Sequence, residues 1–216
     1  MDRALPVRSS LAAVTVLAAV ALPSAAAAKR YVWGSDLRAP ANRIEAHPVD
    51  AAFWNRRLPG GARVRVPVKG RVSTLRLKGT AIKRGSTDPV TLFHFQVLHP
   101  TGDGRLRVSL TSGHFHAPVG GDPQQISIYH PVNLCAKKGD FVSFSDVGGY
   151  QRGAYPSGTP FRVFSSVPES TTGFFTQSGG INNTNVFTPK PPHVGEELLV
   201  RITLVTGDAA GWCRNH

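Results

Sequence analysis

The sequence predicts an all-β protein, an antiparallel β-sandwich of jelly-roll type with about eight to ten strands and one disulfide. Three observations predict this class. Bulky residues alternate with period two in several short segments, turn residues separate these segments, and no stretch of ten residues after residue 28 has a helical period. The 216 residues include 22 Gly and 17 Pro, with 41% apolar and 18% charged positions. This composition excludes a coiled coil and a disordered chain.

The first 28 residues have the pattern of a secretory signal peptide. Arg3 and Arg8 precede an apolar run from Leu11 to Leu22, and small residues follow Pro23. The run is shorter than the roughly 20 apolar residues that span a bilayer. We therefore predict cleavage near Ala28, no transmembrane segment in the mature protein, and a secreted protein that is extracellular or associated with the cell envelope.

The mature chain, residues 29–216, is predicted to form a single domain. Residues 29–60 mix Pro, Gly and aromatic side chains, which predicts an irregular N-terminal arm that packs across the domain. Strands are predicted in these segments: 63–68, 72–78, 90–98, 106–110, 126–128, 141–145, 161–164 and 198–205. The segment 90–98 is apolar on both faces, so we expect it to be a central, buried strand.

The mature chain contains two cysteines, Cys135 and Cys213. In the oxidising space outside the cell, a disulfide between them is the default expectation, and it would contribute roughly 4 kcal/mol. Metal binding is the alternative, because Cys213 and His216 form a C-x-x-H pattern. A blue-copper site would need further ligands, and the single Met leaves with the signal peptide.

Four segments carry a resemblance to other proteins: residues 35–55, 93–100, 131–135 and 146–150. On these segments the chain resembles a family of secreted single-domain proteins of high-GC actinobacteria. The resemblance covers most of the mature chain, and the excess of Arg over Lys agrees with it. It implies the fold and the secreted location, and it carries over no functional residue.

A basic segment is the first candidate for function. The chain has a formal net charge of +12, and residues 51–87 contain ten Lys or Arg and no Asp or Glu. A hairpin turning at Lys69-Gly70 would place four cations on one outer face: Arg63, Arg65, Arg76 and Lys78. An anionic cell-wall polymer would relieve their repulsion. Nucleic acid is not expected, because aromatic residues are not interleaved here. The alternative is a solvated face of an edge strand marked by Pro67.

Histidines are the second candidate. His114 and His116 in an H-x-H pattern, together with His94, suit Zn or Cu, and a cupin carries a similar pattern on a jelly roll. A cupin also needs a Glu a few residues later, which this segment lacks. Histidines at the surface near a loop are the alternative. Binding of Ca²⁺ through backbone carbonyls of the loop 179–185 is a further open alternative.

A Gly-rich loop, residues 146–160, is the third candidate. Exposed Tyr150 and Tyr155 would stack on sugar rings while Asp146 and Arg152 fix hydroxyl groups, because loops at sandwich ends carry function. Alternatively, the Tyr rings fill the end of the sandwich.

These patterns predict a non-catalytic binding protein for cell-wall polysaccharide or another anionic polymer, without a cofactor. No G-x-S-x-G elbow or paired-carboxylate motif indicates an enzyme. A metal-dependent, cupin-like enzyme using the His set and a structural or interaction module without a small ligand stay as alternatives. The oligomeric state is left open.

Overall fold

Two antiparallel β-sheets form the part of the chain that the computed structural model describes, residues 27–148, 151 and 153–214. The predicted antiparallel β-sandwich is therefore confirmed. Of the predicted signal peptide, residues 1–28, the structure describes only residues 27 and 28. The signal peptide therefore stays a prediction. None of the helical segments in the described part has the length and apolar character that a bilayer-spanning helix needs.

The described residues form fifteen strands and two 3₁₀ segments. The strands are β1 (Arg30–Gly34), β2 (Arg43–Glu45), β3 (Asp50–Arg57), β4 (Gly70–Lys78), β5 (Thr80–Ala81), β6 (Leu92–Pro100), β7 (Leu106–Thr111), β8 (Phe115–His116), β9 (Ile126–Tyr129), β10 (Cys135–Ala136), β11 (Phe141–Asp146), β12 (Phe161–Gln177), β13 (Val186–Phe187), β14 (His193–Leu198) and β15 (Val200–Val205). The 3₁₀ segments are Pro59–Gly61 and, near the C-terminus, Gly207–Arg214. Nine of these strands have five or more residues, in agreement with the predicted number.

The smaller sheet has five strands in the order β1-β15-β4-β10, with β9 also on β4. The larger sheet has ten, in the order β13-β7-β6-β11-β3-β12-β14, with β2 and β5 on β12 and β8 on β6. All pairings between these strands are antiparallel. β7 and β14 therefore lie near opposite edges of the larger sheet, which separates the two sites described below.

Aromatic side chains fill the core between the sheets. Phe93 and Phe95 of β6 and Phe144 of β11 are wholly buried, and the Phe93 ring lies 5.2 Å from Phe95 and 4.9 Å from Phe144. Each such ring contributes about 1.5–3 kcal/mol by leaving water. The predicted central, buried strand at 90–98 is thus confirmed as β6.

A second apolar cluster lies on the other face of the larger sheet. Trp54 of β3 packs against Phe141 and Phe175, and Phe187 stacks on Phe175 with the ring centroids 4.2 Å apart. Phe53, the neighbour of Trp54, points into the core between the sheets. β3 is therefore buried on both faces.

The predicted irregular arm is wrong. Residues 29–60 contain β1, β2 and β3, and β3 lies between β11 and β12 in the larger sheet. β3 begins with Asp50, Ala51 and Ala52, residue types that are depleted in strands, so the strand patterns did not reveal it.

The predicted hairpin at Lys69-Gly70 is also wrong. Residues 63–69, all of them described, contain no strand, and β4 pairs instead with β9, β10 and β15. The backbone N–H of Val66 donates to the Asp140 carbonyl, and that of Gly139 donates to the Val66 carbonyl. Pro67 has no N–H to offer a partner strand. This segment therefore bonds to the turn before β11.

The disulfide prediction is confirmed. Cys135 in β10 is bonded to Cys213 in the C-terminal 3₁₀ segment, 78 positions later in the chain. The Arg71 guanidinium also holds this segment, because it donates two hydrogen bonds to the Ala209 carbonyl, at 2.9 and 3.3 Å. The C-terminal 3₁₀ segment is thereby fixed against the smaller sheet.

Candidate functional site

Tyr155 does not offer a face for a sugar. It is 2% exposed, its hydroxyl donates to the Thr87 carbonyl at 2.6 Å, and it accepts the backbone N–H of Arg84 at 3.1 Å. A buried ring with both hydroxyl roles used is a packing element, so its predicted stacking role is wrong. Tyr150 and Arg152 lie outside the described residues.

Asp146, at the end of β11, is also buried. Its Oδ1 accepts the backbone N–H of Ala51 at 3.0 Å. Burial raises its pKa well above the usual range, and the carboxylates of Asp50 and Glu45 raise it further. Asp146 therefore holds the start of β3 and is not placed to fix the hydroxyl groups of a ligand.

Lys78 is not part of an outer basic face. Its Nζ is directed inward, where it donates to the carbonyls of Leu37 at 3.1 Å and Ala39 at 2.8 Å. The side chain fastens the loop after β1 to the smaller sheet. The prediction that Lys78 meets an anionic polymer is wrong for this reason.

The three arginines of the predicted face are divided between two sides of the molecule. Arg65 lies 4.6 Å above the ring of Phe141, over the second apolar cluster. Arg76 is exposed on the smaller sheet, opposite Arg201 of β15, and Arg63 lines a shallow groove together with Arg201. The four predicted cations therefore do not form one surface.

Only two of the three predicted metal-binding histidines meet. The rings of His94 and His114 lie 4.2 Å apart, while His116 is exposed on β8. The Nδ1–H of His94 donates to the Ser112 carbonyl at 3.0 Å, and burial and then the nearby His114 ring lower the His94 pKa. Among the described residues, these three histidines do not form a group that could hold an ion. The predicted Zn or Cu site is wrong in its residues.

A cleft of about 370 Å³ lies between β7, β10 and the C-terminal 3₁₀ segment. The disulfide forms part of its wall, so we call it the disulfide cleft. His99 of β6 is paired with Arg107 of the neighbouring strand β7, and both residues line the cleft. Trp212 lies beside Cys213 in the chain and closes another side. Residues from distant parts of the sequence thus converge on one cavity.

The disulfide cleft is basic. Lys69, Arg107 and Lys137 are exposed along its wall. The one acidic residue of the lining, Asp140, is buried; its carboxylate accepts Nδ1–H of His99 and the backbone N–H of Lys137, both at 2.7 Å. Asp140 orients His99, and each of its two oxygens accepts one of these hydrogen bonds. The cleft therefore presents three cations to a ligand.

An aromatic surface completes the cleft. Trp212 is 49% exposed, whereas Trp33 and Trp54 are buried. Sequence reasoning missed this site because its cations are spread over 69 positions and the Trp lies 75 positions further on. The usable signal was the disulfide itself, because Trp212 adjoins Cys213 and Lys137 follows Cys135 by two positions.

Comparisons of the chain with protein-family models, with curated proteins and with solved structures gave no match. The resemblance to secreted actinobacterial proteins therefore stays a prediction, and the function rests on the chemistry of the site.

Proposed function

We propose that the protein is secreted and binds an acidic polysaccharide, of the kind found in cell walls, through the disulfide cleft. One observation carries the proposal: a half-exposed Trp and three exposed cations surround the same cavity. Its volume of about 370 Å³ lies in the range of small-ligand sites, which suits part of a polymer chain.

Each part of the cleft matches a part of such a ligand. The Arg107 guanidinium can bind a carboxylate through two parallel N–H···O bonds, and the ammonium groups of Lys69 and Lys137 act as point charges. The indole of Trp212 supplies a large, rigid apolar face for the C–H face of a sugar ring. An uncharged sugar would leave the cations unused, so the cleft favours an acidic one.

The charge of the whole chain supports the proposal. The full chain carries +12, and the loss of Asp2, Arg3 and Arg8 with the predicted signal peptide leaves +11. This charge attracts an anionic polymer before contact, over the Debye length of about 10 Å at 0.1 M salt. The disulfide fits the oxidising space where such polymers occur. The cleft would then be the specific binding site for a polymer that the net charge has attracted.

Calorimetric titration of the mature chain with polygalacturonate tests the proposal, with dextran as the uncharged comparison. We expect binding of polygalacturonate that weakens as salt rises, and none of dextran. An exposed ion pair contributes up to about 1 kcal/mol. A variant with Lys69→Gln, Arg107→Gln and Lys137→Gln should therefore bind about ten-fold more weakly or worse.

Arg76→Gln is the matched control, because Arg76 is exposed on the smaller sheet away from the cleft lining. It should leave the affinity within about two-fold of the original. Equal affinity for dextran, absence of binding at low salt, or a loss with Arg76→Gln that exceeds that of the cleft variant would overturn the proposal.

A further inference from the structure

Two carboxylates and an imidazole meet at the edge of the larger sheet that carries β14. Glu45 ends β2 and lies opposite Phe161 of β12, while His193 and Glu196 belong to β14. The register of β12 against β14 shifts between Ser166 and Thr171. This irregularity lies beside the segment of β14 that runs from His193 to Glu196, and β2 pairs with the preceding part of β12, at Phe161 and Phe164.

The distances among these three side chains suit a metal ion. Nδ1 of His193 lies 3.1 Å from Oε1 of Glu196 and 3.7 Å from Oε1 of Glu45. One ligand atom from each residue lies within 4.8 Å of the other two. A tetrahedral zinc ion with bonds of about 2.0–2.1 Å holds its ligand atoms about 3.4 Å apart. Small side-chain movements would bring all three into coordination.

The buried state of Glu196 is an independent sign of a cation. Its side chain is fully buried, and its Oε2 accepts no hydrogen bond from the described residues. That oxygen lies 3.4 Å from Nε of Arg43, whose side chain is 42% exposed. A carboxylate removed from water is costly unless it is paired. A partly solvated Arg on Oε2 and the Nδ1–H of His193 on Oε1 compensate for it incompletely, because the second carboxylate, Glu45, lies beside it.

The surroundings hold the three ligands in place. Nε2 of His47 lies 3.3 Å from Oε2 of Glu45, on the second oxygen of that carboxylate, as outer-shell partners of metal ligands do. The His193 ring packs on Phe174 with centroids 4.3 Å apart, which restricts its rotation. Three protein ligands leave a fourth position for water or another ligand, as in open zinc sites.

We propose that Glu45, His193 and Glu196 bind one divalent transition-metal ion of the zinc type. A nitrogen ligand with two carboxylates suits zinc, whereas Ca²⁺ and Mg²⁺ take oxygen ligands. Binding through Nδ1 requires this nitrogen to give up the proton that it shares with Glu196, while Nε2 carries the one proton of the neutral ring. The site shares no residue with the disulfide cleft, so it stands apart from the proposed function.

Equilibrium dialysis of the chelator-treated mature chain against Zn²⁺ alone tests the assignment, together with thermal unfolding. We expect one Zn²⁺ per chain and a rise in Tm with Zn²⁺ concentration. Glu196→Gln and His193→Gln should each weaken binding by about ten-fold or more and remove the rise in Tm. His116→Gln, the exposed histidine of β8, is the control and should change neither.

Glu45→Gln repeats the test at a half-buried position if Glu196→Gln does not fold. Three results would overturn the proposal. The first is that the original protein is folded but binds no Zn²⁺ at a concentration about 100 times a low-micromolar dissociation constant. The second is binding that survives all three ligand variants. The third is that Ca²⁺ saturates the site and that His193→Gln does not change this binding, because His193 would then not be a ligand.

Discussion

Removal of the disulfide tests whether the C-terminal segment is an integral part of the fold. The double variant Cys135→Ala and Cys213→Ala avoids a free thiol and opens a loop between residues 78 positions apart. The chain-entropy relation assigns closure of such a loop about 4.5 kcal/mol, and measured values for native disulfides run from about 2 to 5 kcal/mol. Natural domains have only about 5–15 kcal/mol of stability. We therefore expect a large loss and a Tm lower by many degrees.

Urea unfolding followed by circular dichroism measures this loss. The exposed Val132 lies close to β10 in the chain, so Val132→Ala is a control that should stay within about 0.5 kcal/mol. In the disulfide variant, acrylamide should also quench the emission of Trp212 more strongly, because the segment that carries it is less constrained. A loss below about 1 kcal/mol would refute the loop-closure reasoning.

Three further predictions concern single positions. Gly79 has φ +122°, and a Cβ there would lie 1.9 Å from the Arg162 carbonyl oxygen, so Gly79→Ala should cost about 3 kcal/mol or prevent folding. Gly85→Ala, with φ +66° and open space, should cost about 1 kcal/mol by the same urea assay. Lys78→Met removes two hydrogen bonds to backbone carbonyls and should lower stability by about 1–3 kcal/mol. The pKa of Asp146 is raised in the folded state, so the folded state binds this proton more tightly than the unfolded chain does. The resulting stabilisation is complete below the ordinary pKa of 3.8 and is lost as the pH rises through the folded pKa, so Tm should fall over that range. Asp146→Asn should flatten this fall in Tm.

Equal losses for Gly79→Ala and Gly85→Ala would show that the close backbone contact is unimportant. An unchanged Tm for Lys78→Met would mean that the ammonium does not hold the loop. A pH profile of Asp146→Asn parallel to that of the original would show that this carboxyl is not the source of the fall.

Period-two alternation predicted the strands that have one clear inner face or that lie fully inside the sandwich. β4, β6, β7 and β11 follow the predicted segments closely. β3 escaped because Phe53 and Trp54 are buried on opposite faces and two alanines precede them, a residue type depleted in strands. β12 was predicted only over its first residues, because Ser, Thr and Glu fill its middle.

The candidate sites depend on register and long-range pairing, which local patterns do not contain. Sequence reasoning grouped Arg63, Arg65 and Arg76 on the face of a predicted hairpin, but Arg65 donates to the Gly139 carbonyl in the turn before β11 and lies over Phe141 on the other side. The cluster of Glu45, His193 and Glu196 joins residues about 150 positions apart through β12. The predicted disulfide was the one long-range contact that composition and location could indicate.

Acrylamide quenching of tryptophan emission during titration with polygalacturonate measures whether the polymer occupies the disulfide cleft. Trp212 is the exposed member of the three tryptophans, since Trp33 and Trp54 are buried, so the quenchable emission reports on the disulfide cleft. We expect polygalacturonate to protect this emission in a saturable manner and dextran to leave it unprotected. Calorimetric binding of polygalacturonate without any protection of Trp212 would contradict this expectation.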